Sequence, residues 1–245
     1  MMNRFTYWIV LSFFLGTAFQ SPAQAVKGAL IGGVNFTQVD GDEVYGYKRI
    51  GANVGAAAII PFTDMWSLTL ETLFSMEGSR EKGVADDGWE MGSDRYPPPY
   101  DADSFYYNGA YDLHLDYVRV PIVFHYNDRN LGLGAGLQYG RLVRIKEQEQ
   151  DIYNTTQYAE EAYKNYDLSI LADVKYRIYA GLFFNLRYSY SLLSIRERTF
   201  YSIDLNSEYT KTRNQRHNTI TVRLMWVIND RGSSLQSQKK EQRAF

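Results

Sequence analysis

The residues with chemistry to offer fall into three groups. His114 stands between Asp112 and Asp116, a histidine flanked by carboxylates, which are the residue types of a proton relay or general base. The carboxylates Glu71, Glu77 and Asp173 and the cations Arg119, Lys175, Arg177, Arg187 and Arg223 are scattered over separate segments. Gathered in one cavity they make either a salt-bridged plug or the lining of a narrow path for ions or small solutes, because unpaired charge there is costly. In the third group Tyr96 and Tyr100 bracket Pro97, Pro98 and Pro99, with Phe105, Tyr106 and Tyr107 close behind. A stiff proline run edged with aromatic rings suits contact with a partner surface.

Other chemistries are poorly served. No Gly-rich phosphate loop, His-Glu zinc helix or acidic calcium loop is present, and the three histidines have no fixed spacing that defines a site. Asp40, Gly41, Asp42 and Glu43 look cation-friendly, yet a turn built of turn formers accounts for them. The sequence is therefore read as non-enzymatic, with no cofactor and no metal. A barrel enzyme using His114 at its outer surface is the alternative from the enzyme class.

What positions these groups is a repeated alternation of period two, the mark of strands. From Trp66 the residues Trp66, Leu68, Leu70, Phe74 and Met76 oppose Ser67, Thr69, Glu71, Ser75 and Glu77. The same division recurs from Val118, Leu168, Leu182 and Thr219, and more weakly, with many glycines and alanines, over 27–36, 50–60 and 131–142. Eight strands result. Tight turns at 62–65, 127–130 and 179–181 alternate with long polar connections at 37–49, 78–112, 143–165 and 194–216. Short turns at one end and long loops at the other characterise outer-membrane barrels, the short end being periplasmic.

A soluble barrel alternates in the same way with its apolar residues inside. Aromatic residues at strand ends, such as Trp66, Tyr126, Tyr139, Tyr176, Tyr188 and Trp226, favour the membrane orientation, since interfacial girdles sit there. The expected fold is thus all-β, an eight-stranded antiparallel transmembrane β-barrel over 26–228, integral to the bacterial outer membrane and in contact with its lipid.

Residues 1–25 read as a secretory signal peptide, with Arg4 before an apolar run and Ala23, Gln24 and Ala25 at the cleavage site. Cleavage falls after Ala25 or Ala23. Residues 229–245 are polar enough to form a disordered periplasmic tail. Without the leader, 25 basic residues face 28 acidic ones, a balance that argues against a nucleic-acid partner. The absence of cysteine excludes disulfides, thiolate metal sites and a cysteine-linked lipid anchor. With 21 Tyr, 13 Phe and 4 Trp, the aromatic excess suits strands more than helices.

Gly32, Gly33, Val34, Asn35 and Phe36, followed by Val39, Asp40, Gly41 and Asp42 and then Gly46, Tyr47 and Gly51, resemble the first hairpin of PorT-like outer-membrane proteins of Bacteroidetes. So do Ser67, Leu68, Glu71, Leu73, Phe74 and Gly78, and Leu115, Asp116, Tyr117, Val118, Val120, Pro121 and Ile122 with Gly134, Gly136 and Gln138. The resemblance implies an eight-stranded outer-membrane fold with no catalytic residues to carry over. Because founding members of that family are linked to the type IX secretion machinery, it also implies envelope or secretion-machinery proteins as partners.

Overall fold

The protein is described from a computed structural model covering residues 26–42, 44–81, 111–150, 155–157, 163–204 and 207–228. Its strands are β1 (Lys27–Asp40), β2 (Arg49–Pro61), β3 (Trp66–Glu81), β4 (Tyr111–Asp128), β5 (Leu131–Gln150), β6 (Thr155–Gln157), β7 (Tyr166–Tyr179), β8 (Leu182–Ser191), β9 (Arg196–Asp204) and β10 (Ser207–Val227). Eight of them close a ring in the order β1-β2-β3-β4-β5-β7-β8-β10, and β10 pairs back to β1 from Ala29↔Val227 to Asp40↔Arg216. Every pairing is antiparallel, and the closed ring leaves no open edge within the band it spans.

β6 and β9 lie outside the ring, β6 pairing with β5 and β9 with the first half of β10. The segment 194–216, expected as a loop, is instead largely this β9–β10 hairpin. β1, β3, β4 and β5 likewise run beyond their expected ends, to Asp40, Glu81, back to Tyr111 and on to Gln150.

The cause is a switch of hydrophobic phase. On β4 the outward residues Val118, Val120, Ile122 and Phe124 are exposed and apolar, whereas the inward Arg119 and His125 are buried and polar. Above Val118 the same geometry carries the opposite chemistry, with Tyr111, Leu113, Leu115 and Tyr117 buried inside and Asp112, His114 and Asp116 on the outward parity. A bulge in the β4–β5 ladder beside Tyr117 reinforces the change, because Val143 has no partner between Leu142 and Arg144. A greasy exterior over a polar interior suits lipid, and the reverse suits water. The strands therefore leave the bilayer near Tyr117 and continue as a wetted wall.

The exposed belt below that level is continuous from Leu30 and Val54 through Ile122, Leu137, Ile170 and Leu186 to Leu224. Aromatic rings mark its limits. At the short-turn end Trp66 stacks on Phe124 at 5.0 Å and meets Tyr126 at 4.9 Å, while Tyr139, Tyr166 and Tyr188 stand exposed at the other. From Tyr166 to Tyr176 a tilted strand rises about 25 Å, the height of an outer-membrane apolar band. Among the described residues no helix is long and apolar enough to cross a membrane; the crossing is made by strands.

The periplasmic turns are tight. Arg129 adopts φ 48° between β4 and β5, and Gly181 φ 78° between β7 and β8, the left-handed geometry that two-residue hairpins require. The leader at 1–25, the tail at 229–245 and Tyr96, Tyr100, Phe105 and Tyr106 lie outside the described residues.

Candidate functional site

Inward-facing polar residues from five strands meet in the lumen in two tiers. In the lower tier Glu71 of β3 accepts from two guanidiniums: Arg187 of β8 at 2.9 and 2.8 Å, and Arg223 of β10 at 2.9 and 2.9 Å. Asp173 of β7 accepts from Arg187 Nη2 at 2.7 Å and lies 2.9 Å from His125 Nε2. Asn185 accepts from Arg223 Nε at 2.6 Å. Two carboxylates thus balance two guanidiniums, with fork-like geometry that places charge and hydrogen bonds together. Gly134 on β5 gives the tier its space, since a Cβ there would come within 2.5 Å of Asp173 and 2.6 Å of His125.

The upper tier is built on Arg119 of β4. Its Nε donates to Glu77 at 2.6 Å, its Nη1 donates to Asp167 at 2.6 Å, and Nη2 also bonds Glu77. The guanidinium lies 4.5 Å from the centre of the Tyr117 ring. His217 of β10 joins Tyr117 Oη at 3.1 Å and stands 3.4 Å from Glu77.

Above these tiers Val39, Val44, Tyr111, Leu113, Leu115, Tyr117, Leu142, Tyr163 and Ile195 form one buried apolar cluster. A polar clasp crosses it. Glu147 accepts from Tyr111 Oη at 2.9 Å and from Arg196 at 2.8 and 2.7 Å, and Arg196 also reaches Tyr163 Oη at 2.6 Å. Burial, with the neighbouring Glu147 carboxylate, holds both the Tyr111 and Tyr163 phenols well above their ordinary ionisation range, so both stay protonated, Tyr111 donating to Glu147 and Tyr163 accepting from Arg196. In the outer β1–β2 turn, burial pushes the Asp42 carboxyl up to about 6, while Oδ1 accepts from the Val44 amide at 2.9 Å.

The charged residues expected in the lumen thus divide. Glu71, Arg119, Asp173, Arg187 and Arg223 come together in the two tiers, as does Glu77, whereas Lys175 and Arg177 sit lower, at the periplasmic mouth. Sequence reading missed Asp167, Glu147 and Arg196. Asp167 shares the inward parity of Ser169 and was recoverable by extending β7 one step. Glu147 and Arg196 belong to wall segments expected to be loops.

His114 lies on the outer wall, not in the lumen. Arg49 bonds it at Nδ1 and also reaches Asp112 at 2.6 Å; His114 Nε2 stands 3.3 Å from Asp112. Burial and the Arg49 charge lower its proton affinity, leaving a neutral ring at neutral pH whose Nδ1 accepts from Arg49. No nucleophilic hydroxyl bonds to it among the described residues.

A hydroxyl, an imidazole and a carboxylate do line up elsewhere, as Thr69 Oγ1, 3.1 Å from His125 Nδ1, with Asp173 beyond. All three are nearly inaccessible, and the periplasmic cavity is lined by Ser67 and Lys175 without reaching Thr69. The order is that of a nucleophile and its base; the surroundings are those of a packed hydrogen-bond chain. Among the described residues no cluster of His, Asp and Glu has metal-holding geometry.

No curated protein sequence matches this chain. Among solved structures, the attachment invasion locus protein Ail of Yersinia pestis aligns over 83% of this chain and 99% of its own, at 11% identity and TM-score 0.46. Neisserial surface protein A aligns over 81% and 96%, at 8% identity and TM-score 0.42. The outer membrane protease OmpT of Escherichia coli aligns over 86% and 100%, at 9% identity and TM-score 0.37. Residues 23–197 match the family described as outer membrane protein beta-barrel domain. With that match, a closed ring of eight antiparallel strands and an apolar belt turned outward, the chain belongs to the outer membrane protein beta-barrel domain family and is an integral protein of the bacterial outer membrane.

Proposed function

We propose that this barrel is a non-enzymatic, partner-binding component of the envelope, serving protein secretion of the type IX kind or outer-membrane assembly. The observation that carries the reading is the filled lumen. Two tiers of ion pairs under an apolar cap occupy the interior that a pore would need, as expected where eight strands leave room only for side chains.

What remains available is the outside. Above the lipid belt, β4 and β5 raise a charged wall on which Asp112, His114 and Asp116 face Gln148, Lys146 and Arg144 in register, around a recess of about 370 Å³. The wall's mixed charge fits a protein surface better than a hydrocarbon one. The PorT-like features of the sequence point to secretion-machinery proteins as its partners.

Crosslinking in native membranes followed by affinity recovery is the test. The reading expects defined envelope proteins to be recovered with the full chain, and fewer of them with Lys146→Glu. Recovery of the barrel alone, with normal protein secretion in a deletion strain, contradicts it.

A further inference from the structure

The periplasmic end of the lumen opens into a vestibule of about 620 Å³ that the plugged interior does not use. Lys27, Arg129, Lys175, Arg177 and the acid Asp64 are among the residues that line it, and Lys27 and Arg177 have partners of their own. Lys175 is the informative one. It is only 7% exposed, yet among the described residues no carboxylate ion-pairs with it. The acids above it are already engaged, Glu71 by Arg187 and Arg223 and Asp173 by Arg187 and His125.

Asp173 and Glu71 attract the Lys175 ammonium from a distance, but a buried ammonium with no carboxylate in contact is still costly unless something supplies a counter-charge. Gly132, its cross-strand neighbour, keeps the site open, since a Cβ there would lie 2.5 Å from Lys175 Cε. The remaining wall is apolar, with Ile59, Phe183 and Val227, and Arg177 stacks over the Phe183 ring at 5.1 Å.

We infer that this vestibule is a binding site for a phosphate-bearing amphiphile, entering from the periplasmic side with its head on Lys175 and its apolar body against Phe183, Ile59 and Val227. Lys175 and Arg129 lining one cavity suit a head group with several acceptor oxygens, and the apolar wall gives a reason for a carbon tail. The chain's own tail at 229–245 is a poor occupant, because Arg231, Lys239, Lys240 and Arg243 outnumber Asp230 and Glu241.

Isothermal titration of the full-length folded protein in a neutral maltoside detergent tests this, with hexyl phosphate and inorganic phosphate as probes. Saturable binding of hexyl phosphate is expected, weaker for inorganic phosphate. Lys175→Met should weaken it at least tenfold, and Arg129→Asn about two- to fivefold. Arg129→Asn keeps a residue suited to the turn's left-handed φ, so it reports on the site even where Lys175→Met disturbs folding. Repetition in nanodiscs separates two sources. Affinity lower in phosphatidylcholine nanodiscs, whose lipid carries a phosphate but no net charge, than in maltoside identifies a lipid headgroup as the occupant; affinity equal to that in maltoside identifies a soluble periplasmic phosphate, and either upholds the site. Absence of saturable binding, or full affinity in both variants, overturns it.

Discussion

Glu71 and Arg223 are 152 positions apart in the chain and meet across the lumen through two bonds of 2.9 Å. Together with Arg187 they tie β3, β8 and β10, so the barrel's interior is closed by a carboxylate that answers two guanidiniums at once.

Removing that carboxylate leaves both guanidiniums buried with too little negative charge. Glu71→Ala should therefore destabilise the folded barrel by about 3 to 5 kcal/mol, read as a lower denaturant midpoint in detergent and a loss of the heat-modifiable band on gels. Unchanged stability would mean that the lumen is more hydrated than these contacts describe.

The lipid belt makes a second, directional prediction. Leu186 is 44% exposed on the outward face, and Leu186→Arg should cost about 2 to 4 kcal/mol near the bilayer midplane. Gln148→Arg, on exposed wall above the phase switch, should assemble normally. Equal damage from the two would place the membrane boundary wrongly. Asn185, next to Leu186, is no neutral control, because it is fully buried and holds Arg223.

How much of this was legible in the sequence follows from the same switch. Alternation names the faces of β3, β4, β7 and β8 wherever apolar side chains meet lipid, and Glu71, Arg119, Asp173, Arg187 and Arg223 all fall on the opposite parity. Above Tyr117 the apolar residues change sides, and a reading that follows one greasy face takes that change as the strand's end. The β9–β10 hairpin was hidden for a related reason, since Arg196, Glu197, Arg198 and Lys211, Arg213, Arg216 look like loop residues when no bilayer selects the outward face. Parity also puts Lys175 inside but cannot show that it lacks an ion-pair partner, which depends on the lengths and directions of side chains from other strands.

Asp42 gives a pH signature. Burial raises its folded-state pKa from 3.8 to about 6, so its contribution to stability is complete below 3.8 and is lost as the pH rises through 6. Above pH 7 the loss approaches about 3 kcal/mol. Asp42→Asn should match the wild type in denaturant midpoint near pH 4 and exceed it at pH 7.5. A gap that widens toward acid pH would reverse the assignment.

His114 and His125 separate the wall from a catalytic role. His114→Ala should leave barrel stability nearly unchanged while altering the wall's surface. His125→Ala should lower stability by about 1 to 3 kcal/mol, because Thr69 and Asp173 each lose a buried partner. A hydrolytic or acyl-transfer activity of the purified protein, abolished by either change, would move the protein into the enzyme class.

The most direct measurement is conductance across a planar lipid bilayer after reconstitution of the folded, full-length protein. The two ion-pair tiers and the apolar cap predict a baseline free of stable channel steps, both for the wild type and after Leu113→Ala, since the tiers beneath the cap remain. A steady, reproducible conductance in the wild type, shifted in ion selectivity by Arg223→Ala, would contradict the sealed lumen and with it the account of a barrel that works through its outer surfaces.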